Sequence, residues 1–134
     1  MGAWGTGILD NDTAQDFIAA VVDESDLSTI EEAIARVLRS GTDYLEAPEA
    51  EEAIAAVNII ARILGRDPEE PEDGDEADEW ISRCEVEPDD VLVEEGRKAL
   101  ERILTEPSEL LEQWQESDDY ETWERNVRSL QQSL

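Results

Sequence analysis

The sequence predicts an all-α fold, a compact bundle of about six helices with a Gly-rich N-terminal loop and an acidic central linker. Three observations predict it. Apolar residues recur every three or four positions in several separate segments, the spacing that puts them on one face of a helix. No segment alternates apolar and polar residues as a half-buried strand does, and the one β-branched cluster, Val91 to Val93, lies inside a helical pattern. Helix-start residues and glycine stops bracket the periodic segments. With 134 residues, 40% of them apolar, the chain has material for one core, so residues 1–134 are expected to form a single helical domain.

The elements follow in order. Gly2, Gly5 and Gly7 around Trp4 make the opening a loop, because glycine permits turns that other residues resist. It is not a phosphate loop, since no Gly-Lys-Ser/Thr follows; Trp4 and Ile8 are expected to fold back onto a helix. Asp12 with Gln15 reads as a capping box opening the first helix, whose stripe is Phe17, Ile18, Val21 and Val22. Ser28 with Glu31 reads as a second box, ahead of Ile30, Ala33, Ile34, Val37 and Leu38, and Gly41 suits a left-handed helix end. Pro48 suits the first turn of a third helix. There Ala50, Ala53, Ile54, Val57, Ile60, Ala61 and Leu64 mark one face, and Ala56, Ile59 and Ile63 widen it. A helix apolar on so many sides belongs at the centre, and Gly65 ends it.

Residues 66–79 read as an acidic, mobile linker, with Pro68, Pro71 and Gly74 among many carboxylates. Trp80 and Ile81 re-anchor the chain through a short helical turn. Pro88, Asp89 and Asp90 start the next helix, their carboxylates complementing its dipole. Leu92, Gly96, Ala99, Leu100, Ile103 and Leu104 share one face. Gly96 costs that helix about 1 kcal/mol relative to Ala, which a close helix crossing would offset. Pro107 begins a short helix carrying Leu110, Leu111 and Trp114. Asp118 with Glu121 reads as a third capping box, before Trp123, Val127, Leu130 and Leu134.

Composition excludes several functions. The formal net charge is −27, from 37 acidic and 10 basic residues, so nucleic acid and anionic membrane surfaces repel the chain. The longest uncharged apolar run, Ala53 to Ala61, falls well short of the ~20 residues of a membrane span. The first residues show no Lys/Arg region ahead of an apolar stretch, so no secretion leader is expected. Cys84 is the single cysteine and forms no internal disulfide, which points to a reducing cytoplasm; between Arg83 and Glu85 it reads as a small core residue rather than an activated thiol. There is no histidine. That removes the commonest neutral-pH general base, the usual Ser-His and Cys-His pairs, and nitrogen-ligated metal sites.

Oxygen chemistry remains. Asp10, Asp12 and Asp16 cluster beside the glycine loop, and such ligands suit Ca²⁺ or Mg²⁺. The calcium-loop pattern fails, however, with Ala14 at a ligand position and Val21 at the terminal Glu position; from Asp73 it fails at Ala77 and Cys84. No catalytic residue, cofactor or metal is therefore assigned. Trp4, Trp80, Trp114 and Trp123 stand out in a chain only 5% aromatic. Core packing is the expected role, because Trp114 and Trp123 fall on apolar stripes; a ligand-stacking cluster is the alternative.

The segments MGAWGTGILDNDTAQDF, AEEAIAAVNIIARILGRDP and SELLEQWQESDDYETWERNVRSL resemble domain-of-unknown-function family 4259, a group of small, mostly bacterial proteins. The resemblance spans nearly the whole chain, with Leu9 departing from the aromatic residue expected there. It implies no activity, so no catalytic residue carries across. Gly2, Trp4, Gly5, Gly7, Asn11, Asp12, Asp16 and Phe17 match the opening pattern and are candidates for a shared surface or shared packing.

The expectation is a cytoplasmic, non-enzymatic interaction protein. Its partner would be a basic protein, in one concrete form a toxin covered by an immunity or antitoxin-like inhibitor. Lys98 is the only lysine, and an acid-rich, lysine-poor surface also fits adaptation to a high-salt cytoplasm. A carboxylate-based enzyme and a nucleic acid mimic are weaker alternatives, since the helices show no phosphate-like row.

Overall fold

The computed structural model describes residues 12–23, 27–65, 76–83 and 87–134. They form seven helices and no strand: α1 (Asp12–Val22), α2 (Ser28–Arg39), α3 (Ala47–Ile63), α4 (Glu76–Arg83), α5 (Asp90–Ile103), α6 (Glu109–Gln115) and α7 (Tyr120–Ser133). The all-α bundle read from periodicity is present. The short turn at Trp80 is a full helix, α4.

α3 is the axis of the bundle. Every residue from Ala53 to Ala61 is buried, and α3 packs against all six other helices. The alanines on its flanks let neighbours approach, while Ile54, Ile59 and Ile60 are fully buried; each such side chain contributes roughly 1.5–3 kcal/mol by leaving water. The stripes of α1, α2, α5, α6 and α7 supply the rest of the core. Trp80, Trp114 and Trp123 are all buried, as packing predicts. Trp114 and Trp123 stack at 5.7 Å with ring planes 8° apart, joining α6 to α7.

Gly96 lies where α5 crosses α3, close enough that an added methyl would be in contact on both sides. A Cβ there would lie 3.4 Å from both Val57 Cγ2 on α3 and Leu134 Cδ1 beyond α7. Gly41 and Gly65 end α2 and α3 with φ of +53° and +70°, the left-handed conformation that glycine adopts without strain.

Helix starts depart from expectation. Asp12 lies in the first turn of α1 and is not its cap. Leu27, not Ser28, precedes α2, and Ser28 lies inside its first turn. Asp119, not Asp118, precedes α7, again without a side-chain cap; Ser117 Oγ accepts from Asp119 N at 2.9 Å and turns the chain one residue later than the box predicts. Two side chains do cap their own helices. Asp89 accepts from Leu92 N at 2.8 Å, and Ser108 from Leu111 N at 3.5 Å, so α6 starts after Ser108 rather than at Pro107. A third cap comes from afar, where Ala47 N at the start of α3 donates to Glu109 Oε1 of α6 at 2.7 Å.

The acidic stretch also ends earlier than expected. Glu76 to Glu79 are helical, because Trp80 anchors α4 against α1 and α3 and acidic residues in a first turn favour the helix dipole. Residues 66–75, Cys84 and the N-terminal loop with Trp4 and Ile8 lie outside the described residues.

Two loops are tied into one unit. Leu45 N donates to Pro107 O at 3.2 Å and Glu109 N to Leu45 O at 2.8 Å. The Arg102 guanidinium closes the join by donating to the carbonyls of Gly41, Asp43, Thr105 and Pro107 at 2.7–2.9 Å. On the other side, α7 is bound to α5 by Arg128–Glu101 at 3.0 Å and by Gln131 Nε2 donating to Arg97 O at 3.1 Å; Arg97 also donates to Leu134 O.

Candidate functional site

Two open depressions lie side by side on one face and share Ser28 and Glu32. The larger, about 580 Å³, lies between α1 and α2 with Glu52 of α3 at its edge. Helical spacing places Thr13, Asp16, Phe17 and Ala20 of α1 opposite Thr29, Glu32, Ala33 and Arg36 of α2. The ring of Phe17 is buried beneath it, while the Asp16 side chain stays exposed. The smaller depression, about 460 Å³, runs between α2 and the start of α5, where Glu31, Glu32, Asp89 and Glu95 surround Ala35, Val91 and Leu92.

The electrostatics are one-sided. Among the described residues six carboxylates, those of Asp16, Glu31, Glu32, Glu52, Asp89 and Glu95, line the pair against one guanidinium, Arg36. Arg36 reaches Glu52 at 3.6 Å and Glu32 at 3.9 Å. Arg39 is closer to Glu32, at 2.7 Å, and this hydrogen bond and charge, with Arg36 beside them, hold the Glu32 carboxyl below its ordinary range. Glu31 and Glu95 have no cationic partner among the described residues. Val91, which lines the same depression, is 65% exposed, one of two large apolar side chains so open among the described residues.

Chemistry other than charge is sparse here. Burial pushes the Glu51 carboxyl up, opposed by its hydrogen bond to Thr13, yet Glu51 does not line either depression. No group of three or more His, Cys, Asp or Glu residues placed to hold a metal occurs among the described residues. Of the residues flagged by the opening pattern, Asp16 and Phe17 meet at the larger depression, as surface and as packing respectively. Asp12 is exposed in the first turn of α1 and does not line it. Gly2, Trp4, Gly5, Gly7 and Asn11 lie outside the described residues. Sequence reasoning missed Arg36, Glu52 and Val91, because adjacency across three helices leaves no local signal.

A family model described as "Domain of unknown function (DUF4259)" matches residues 2–126. The chain belongs to the DUF4259 family. That match covers both depressions and every helix except the last turns of α7. Neither the curated proteins nor the solved structures contain a match to this DUF4259 chain.

Proposed function

We propose that this DUF4259 protein is a cytoplasmic, non-enzymatic interaction module whose acidic face meets a basic protein. The observation that carries the reading is the paired depression, with six carboxylates around one arginine on a concave surface. Opposite charge on a partner would steer encounter and disfavour wrong partners. An immunity or antitoxin-like inhibitor of a basic toxin is one form this takes. The absence of histidine from the sequence supports a role without proton-transfer chemistry. The test is affinity capture from the native host at several ionic strengths. Recovery of one basic protein, lost when salt is raised, is expected; recovery of only neutral or acidic partners refutes the reading.

A second reading rests on a different observation. Carboxylates are also exposed on other elements, among them Glu106, Glu116, Asp118 and Glu121. Acidity spread over the surface fits salt adaptation, in which the charge serves solvation and the function lies elsewhere.

A further inference from the structure

The trough between α2 and α5 combines three features. It is concave, with a volume of about 460 Å³. Its rim holds Glu31 and Glu95, which no cation among the described residues neutralises. Val91, 65% exposed, lines it together with Leu92 and Ala35. We infer that this trough is the docking surface for an amphipathic, Lys/Arg-rich helix of the partner protein, its cations on Glu31 and Glu95 and its apolar stripe on Val91. The inference rests on the basic-partner reading and deepens it by assigning the surface and the partner's form.

The geometry favours a helix as occupant. α2 and α5 pack along each other, and the groove between two packed helices receives the side-chain ridge of a third. A purely ionic ligand would leave Val91 in water. A purely apolar one would bury Glu31 and Glu95 without partners, which is costly. A helix with cations flanking an apolar stripe satisfies both. The larger depression is less suited to receive cations, because Arg36 already faces Glu32 and Glu52 there.

The probe is a labelled synthetic helix of Leu with Lys and Arg at amphipathic spacing, with a Glu-for-Lys/Arg twin as control. Binding is read by fluorescence anisotropy at a KCl concentration where all variants keep the wild-type helical circular dichroism. Glu31→Gln with Glu95→Gln is expected to weaken the cationic peptide about tenfold or more, the scale of two lost charge pairs. Glu116→Gln with Glu121→Gln changes net charge equally but lies just past α6 and on α7, and is expected to cost about twofold or less. Val91→Ser, at a position already 65% exposed, is expected to weaken binding about fivefold, as lost apolar burial does. In amide NMR spectra the peptide is expected to shift signals of Ala35, Val91 and Glu95. Equal losses in the two double variants, or shifts centred elsewhere, overturn this surface and leave the basic-partner reading standing. Absence of any preference for the cationic peptide over its acidic twin overturns both.

Discussion

Arg102 satisfies four backbone carbonyls that two loops would otherwise present to each other or to water. No lysine can replace it, because only the planar guanidinium spreads donors over such an arc. Arg102→Met is expected to lower unfolding free energy by about 2–3 kcal/mol, since hydrogen bonds to a charged donor contribute more than neutral ones. Arg102→Lys should recover only a minor part, and urea midpoints at fixed KCl measure both. Tyr44 offers a second test at this scale. Its phenol hydrogen-bonds Glu112, and that acceptor together with the charges of Glu112, Glu109 and Glu46 pushes it up to about 12. The unfolded phenol releases its proton near pH 10, so this group's contribution to stability is lost as pH rises through the window from about 10 to about 12. In a Tyr120→Phe background, which leaves Tyr44 the only tyrosine, ultraviolet titration should find the phenol ionising well above its ordinary range. Glu112→Ala should bring it back down, and an unmoved titration would show that the carboxylate is not its partner.

At the scale of the element, two opposing effects meet where α5 crosses α3 at Gly96. A methyl added there would meet Val57 Cγ2, on a buried and stiff β-branched side chain, and Leu134 Cδ1 at the chain end, both at 3.4 Å. That is ordinary contact, while glycine inside α5 costs about 1 kcal/mol relative to alanine. Gly96→Ala is therefore expected to raise stability by up to about 1 kcal/mol, and Gly96→Leu to lower it by about 2 kcal/mol or more through overpacking; thermal melts of the two variants check the pair. The same helix shows what was legible in the sequence. Leu92, Ala99, Leu100 and Ile103 announce their buried face by spacing alone, as does the doubly apolar α3, because the period of a helix maps directly onto its faces. Helix starts were less legible. Asp12, Ser28 and Asp118 have the right chemistry for caps, but tertiary contacts and local turns move the boundary by a residue. The cap on Ala47 from Glu109 spans 62 residues, and no local pattern encodes it. The candidate site divides in the same way. Asp16 and Phe17 belong to a sequence motif and could be flagged, whereas Val91 gains its meaning only when α2 is laid beside α5.

For the whole molecule the governing quantity is the charge of −27 on 134 residues. In dilute buffer the Debye length exceeds ~10 Å, so carboxylates on neighbouring helices repel across the surface; at about 1 M salt it is only ~3 Å and the repulsion is confined to nearest neighbours. Self-repulsion opposes the compact state more than the expanded one. The urea midpoint is therefore expected to climb steadily as KCl rises toward molar concentrations, and a flat or falling midpoint would remove repulsion as a determinant of stability. The two functional readings part at this point. Repulsion depends on total charge, so the Glu31→Gln/Glu95→Gln and Glu116→Gln/Glu121→Gln pairs should lessen the KCl slope to a similar degree. Recognition depends on place, so only the first pair should weaken a cationic helix. If both pairs alter stability alike and neither alters binding selectively, the trough adds nothing to what the overall charge does, and the choice between a basic partner and hydration in salt falls to the capture experiment. If binding separates them while the salt slope does not, the trough between α2 and α5 carries information that the overall charge does not.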